Sequence, residues 1–188
     1  MNVRPESNPF FRQINPTTLV CLVWFFLATG AAIAGEPPKI ELIGSRIGPR
    51  TLEPITAKNI VRDYGRAWEV LSTAYDQNSA LPLASYFAGA AQQNLTDAIN
   101  SGNKSGLHRR YRDISHRLQP LFYSPEGDLL EFRDTAQLHL QILDGDKVIH
   151  EEETQLQYVV LMTPAADKWV VRLLETVPQS RSIADQNK

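Results

Sequence analysis

The 188-residue chain carries 19 Lys and Arg against 21 Asp and Glu, a formal net charge of −2, with 43% hydrophobic and 21% charged residues. Those proportions fit one ordinary globular domain plus terminal segments, and they exclude wholesale disorder or collagen-like repeats. The near-neutral balance argues against a nucleic-acid binder, and one cysteine excludes a disulfide framework or a multi-cysteine metal site.

Residues 1–34 read as a leader. Leu19 to Ala34 is free of charge, Arg4 and Arg12 precede it, and Glu6 is the sole acid there. A basic start, an apolar stretch from Leu19 to Leu27 and a small-residue end form a secretory signal. Ala32-Ile33-Ala34 ahead of Gly35 fits the preferred cleavage pattern. The alternative is an uncleaved single-pass anchor in the inner membrane, with the arginines holding its start in the cytoplasm. Either reading places the remaining chain outside the cytoplasm, touching a membrane only through the leader. Cys21 lies near the start of the apolar stretch rather than after it, which rules out a lipid-modified amino terminus.

Residues 35–56 hold four prolines and three glycines without periodicity and read as an extended linker. Ile40, Leu42, Ile43 and Ile47 are its candidates for packing on the domain. The domain itself is expected over 57–177. After Thr56 as N-cap, Ile60, Tyr64, Ala67, Trp68, Leu71 and Tyr75 make one helical stripe. Leu83, Phe87, Ala91, Leu95 and Ile99 continue helical spacing, broken at Gly89 and closed at Ser101-Gly102-Asn103.

From about Tyr111 the period becomes two. Ile114, His116 and Leu118 form one face; Ala136, Leu138, Leu140 and Ile142 form the next strand's. Asp144-Gly145 marks a hairpin, and Leu156, Tyr158, Val160 and Met162 line the returning strand. Lys168 to Val177 is the last strand, and a polar tail follows over 178–188. The fold class is therefore α+β: amino-terminal helices packed on the concave face of a curved four-stranded antiparallel sheet.

This order resembles the nuclear-transport-factor-two-like superfamily, a cone-shaped, cystatin-like α+β fold. The Tyr64…Trp68 helix, the Phe87-centred second helix and the final strand at 168–177 carry the resemblance. A leader, linker and cone also resemble periplasmic scaffold domains of secretion machines and tethered domains of organelle import and division proteins. The resemblance implies binding of proteins or lipids in those relatives. In others, such as polyketide cyclases and ketosteroid isomerases, it implies catalysis inside the cone. Fold alone does not choose between them, and no catalytic residue maps onto this chain.

Alternation puts His116 on the concave face, where an imidazole beside a carboxylate could abstract a proton. The plainer reading is a core histidine. Asp113, three residues away, projects to the opposite face of a regular strand unless a bulge intervenes. Tyr64, Trp68, His116 and Tyr158 are the candidate ligand-binding residues for a small apolar ligand. Lys104, His108, Arg109, Arg110, Arg112 and Arg117 form a basic stretch, read either as an anion site or as pairing with Asp134, Asp144, Glu151 and Glu153. No metal or cofactor is expected, since no spaced-histidine or nucleophile motif occurs. Apolar residues on both faces of the last strand make Trp169, Val170 and Val171 candidates for an interface with an envelope protein or a second copy. The expected function is a non-enzymatic extracytoplasmic binding or scaffold domain. A lyase or isomerase using His116, and an apolar-ligand carrier, stand as alternatives.

Overall fold

A computed structural model describes residues 38–44 and 46–178, apart from the side chains of Arg46 and Ile47. The leader and all of the tail beyond Pro178 lie outside the described residues. Among those described, no helix is long and apolar enough to cross a membrane.

The elements run β1 (Lys39–Leu42), β2 (Arg46–Ile47), β3 (Arg50–Thr51), α1 (Pro54–Asp76), a 3-10 turn (Leu81–Ser85), α2 (Gly89–Ser105), β4 (Leu107–Tyr123), β5 (Leu130–Asp144), β6 (Lys147–Ala165) and β7 (Lys168–Thr176). The main sheet has the order β1-β4-β5-β6-β7, and β2 and β3 form a separate antiparallel pair. It therefore has five strands, not four. The extra strand is β1, which lies in the stretch read as linker and pairs parallel with β4, Ile40 against His116 and Leu42 against Leu118. Pro37-Pro38 and Gly44 bracket a short apolar–polar alternation, Ile40, Glu41, Leu42, which suffices for an edge strand.

Helix α1 begins earlier than the Thr56 cap predicts. Glu53 is the N-cap and Pro54 occupies the first turn, where its missing N–H leaves no bond unmade. The apolar stripe faces the sheet, with Ile60, Tyr64, Ala67, Trp68, Leu71 and Tyr75 buried. Gly65 lets β1 come close: a Cβ there would lie 3.0 Å from the Ile40 side chain. After the 3-10 turn, α2 starts at Gly89 and continues past Gly102 to Ser105. Gly106, at φ 73°, takes the left-handed closing position expected of Gly102.

The last strand is closed off by its own chain. Val171 N–H donates to Tyr86 O at 2.9 Å, and Ala88 N–H donates to Val171 O at 2.9 Å. Trp169 N–H donates to the buried carboxylate of Asp63 at 2.8 Å. Trp169, Val170 and Val171, expected at an interface, are thus buried within the chain at 7%, 7% and 0% exposure.

Candidate functional site

Strand β4 carries a bulge that decides the site. Asp113 pairs with Leu138 and Ser115 with Gln137, so Ile114 is an extra residue. The insertion reverses the facing of everything before it. Ile114 is pushed outward to 37% exposure, against the expectation that it lines the concave face. Asp113 moves onto the side of His116 and Leu118, opposite the buried Leu138, Ala136 and Asp134.

His116 and Asp134 are buried at 1% and 0% exposure. His116 Nδ1 donates to Asp134 Oδ2 at 2.8 Å, and the Tyr64 hydroxyl donates to the same oxygen at 2.8 Å. A carboxylate can only accept, so the hydrogen bond places an imidazole proton on Nδ1. His116 Nε2, Asp134 Oδ1 and Asp113 Oδ1 are buried with no hydrogen-bond partner.

Aromatic rings enclose this polar group. The Trp68 ring lies 4.6 Å from the His116 imidazole, and Tyr158 lies 5.6 Å from Trp68. Tyr64 meets His116 edge-on at 5.7 Å and Phe132 at 5.1 Å. The four residues predicted from the sequence, Tyr64, Trp68, His116 and Tyr158, therefore share one cluster. Burial governs its titration. The Asp113 carboxyl is pushed up to about 6, chiefly by desolvation, with nearby His116 opposing and Asp134 and Glu69 adding to the rise. Desolvation also raises the Tyr64 and Tyr158 hydroxyls well above their ordinary value.

Asp134 was read from the sequence as a surface partner for the basic stretch. The signal against that reading was present, because Asp134 shares the even phase of Ala136, Leu138 and Leu140. The other acids named as partners also go elsewhere or are exposed. Glu151 meets His139 Nε2 at 2.7 Å, while Arg110 finds Asp76 at 3.1 Å. His150 and Glu152, 3.5 Å apart, sit exposed toward the start of β6 and away from the cluster.

A second feature lies where α1 and α2 end and β4 begins. Tyr75, Ile99, Leu107 and Ile142 form the apolar part of a cleft of about 300 Å³, with His108 and Arg109 among its polar residues. That volume is at the small end of ligand-sized pockets. The cleft shares no lining residue with the His116 cluster.

The fold has a solved counterpart. The intermembrane-space region of the chloroplast protein ARC6 superposes with a TM-score of 0.56 at 16% identity, covering 69% of this chain and 98% of that one. ActVI-ORFA from Streptomyces coelicolor matches with a TM-score of 0.43 at 12% identity, over 64% of this chain and 95% of that one. At such identity the likeness to the ARC6 region is one of fold alone. No family model and no curated protein matches the chain.

Proposed function

We propose that this chain is an extracytoplasmic binding domain that associates with an envelope protein, seating an apolar side chain or small apolar ligand in the Tyr75–Ile99–Leu107–Ile142 cleft. The observation carrying this reading is the contrast between the two features. The His116 cluster is sealed under Trp68 and Tyr158, whereas the cleft opens to solvent with an apolar lining and a basic rim. The leader supports the compartment, and so does the likeness in fold to an intermembrane-space region, that of ARC6.

The test is in-cell photocrosslinking from Leu107, at the cleft, compared with Leu81, which is exposed elsewhere. A discrete adduct from Leu107 alone, from a cell-envelope protein or an apolar small molecule, is the expected result. Equal, diffuse labelling from both positions removes the reading.

One observation favours a second reading. His116 Nε2 is buried without a hydrogen-bond partner, on a ring packed against Tyr64 and Trp68, and an imidazole nitrogen so placed is what a lyase or isomerase needs as a base. That role requires Trp68 or Tyr158 to move aside, because a base without solvent exposure reaches no substrate. Deuterium uptake from heavy water into a panel of small carbon acids, lost in His116→Gln, would support it; unchanged uptake would exclude it.

A further inference from the structure

Strand β6 is longer than its partner on one side. It pairs with β5 from Lys147 opposite Asp144 to Met162 opposite Leu130, with one irregularity at Ile149. Its ladder with β7 covers only Tyr158 to Ala165. The last bond on that side is Val177 N–H donating to Gln157 O at 2.8 Å. Among the described residues, nothing pairs with Lys147–Thr154 on the outer edge.

The backbone alternation fixes which groups are left open. In an antiparallel strand the N–H and C=O of one residue point the same way, and successive residues point to opposite neighbours. Gln157 faces the β7 side, and no bulge interrupts β6 between Gln157 and Glu151. Glu153 and Glu151 therefore present their N–H and C=O to the open edge, while Thr154 and Glu152 bond to β5.

Charge selects the occupant. Glu151, Glu152 and Glu153 are consecutive and exposed. Glu151 is engaged by His139 and by Gln141 Nε2 at 3.1 Å, and Glu152 lies beside His150. Glu153 has no ion-pair partner among the described residues. A second copy pairing antiparallel about Glu152 would set Glu151 directly opposite its mate's Glu153, a destabilising like-charge arrangement. A strand with cations at alternate positions meets both carboxylates while completing the backbone bonds.

We propose that the β6 edge over Lys147–Thr154 is a docking site for an extended, Lys- or Arg-bearing segment of a partner protein, added as a sixth strand. Backbone bonds to Glu151 and Glu153 hold it, and the acidic side chains select it. The exposed Val148 and Ile149 at the end of the edge offer it an apolar contact. This site is separate from the cleft and stands whether or not the cleft binds anything.

The probe is an alternating Lys–Thr octapeptide, with its Glu–Thr counterpart as control, followed by amide hydrogen exchange on the full chain. The Lys–Thr peptide should slow exchange at Glu151 and Glu153 about tenfold while leaving Glu152, already bonded to β5, unchanged. Replacing Glu151 and Glu153 together by Lys should transfer the preference to the Glu–Thr peptide. Glu153→Pro removes the outward N–H as well as the carboxylate, a change edge strands tolerate, and should weaken binding further than Glu153→Gln, which removes the charge alone. Equal protection by both peptides, or binding to Glu153→Pro no weaker than to Glu153→Gln, reduces the site to nonspecific charge attraction and overturns the proposal. So does protection that grows with protein concentration in the absence of peptide, which would identify a second copy as the occupant.

Discussion

His116 and Asp134 face each other across neighbouring strands with Nδ1 and Oδ2 2.8 Å apart, and neither side chain has any exposure to solvent. Asp134 Oδ2 also accepts from Tyr64, so one carboxylate oxygen ties α1, β4 and β5 together. The carboxylate is the hub, because it is the sole acceptor for two buried donors.

Asp134→Leu should therefore destabilise the fold by roughly 2–4 kcal/mol, since both the Tyr64 hydroxyl and the His116 Nδ1–H lose their acceptor without gaining water. Urea unfolding measures this. Adding His116→Leu should cost much less than the sum of the single changes, because the second replacement removes one of the orphaned donors. Fully additive losses would mean the pair is not coupled.

Asp113 gives the fold a pH dependence of definite sign. Its carboxyl is pushed up to about 6 from an ordinary value of 3.8, so across that window the folded state holds more protons than the unfolded state. Its contribution to stability is present below about pH 4 and is lost as pH rises through about 6. Asp113→Asn should abolish this slope and stabilise the domain near neutrality by roughly 2 kcal/mol. Denaturation midpoints of the two proteins at pH 4 and pH 7 decide it, and parallel pH profiles would show that Asp113 titrates normally.

Gly65 controls how closely β1 approaches α1. A leucine there meets the Ile40 side chain, because even a bare Cβ would sit 3.0 Å from it. Gly65→Leu should release β1 while sparing the other four strands of the sheet. Amide exchange at Ile43, whose N–H donates to Leu118 O at 2.8 Å, should accelerate far more than exchange at Val171. Equal acceleration at both amides would mean that β1 is inseparable from the domain.

Much of this architecture is legible in periodicity. The steps of three and four from Ile60 to Tyr75 name the buried face of α1, and alternation correctly puts His116, Leu118 and Tyr158 toward the helices. What periodicity misses is each departure from regularity. A single inserted residue, Ile114, brings Asp113 to the inner side, and nothing in RDISH marks it. The last turn of α2 passes through Gly102 because a helix tolerates one glycine, and Gly106 is free to take the positive φ. The Ile40–Glu41–Leu42 alternation of β1 is too short to stand out from the proline- and glycine-rich stretch around it, and its parallel alignment with β4 is what shows it as a strand. Asp134 lies at a core phase, but a charge there reads as surface until a buried partner is known.

The hydrogen bond from Trp169 to Asp63 joins residues 106 positions apart. In any process that delivers this chain amino terminus first, α1 arrives with its aromatic stripe complete and Asp63 paired only with the neighbouring Arg62. The strands that cover that stripe come only afterwards, and the donor is on the last of them. Nonlocal pairing of this kind slows folding, so the nascent domain has a prolonged interval in which Tyr64, Trp68 and Tyr75 lack their sheet. A premature stop before β4 would make that interval permanent, leaving an adhesive helix rather than a smaller version of the domain.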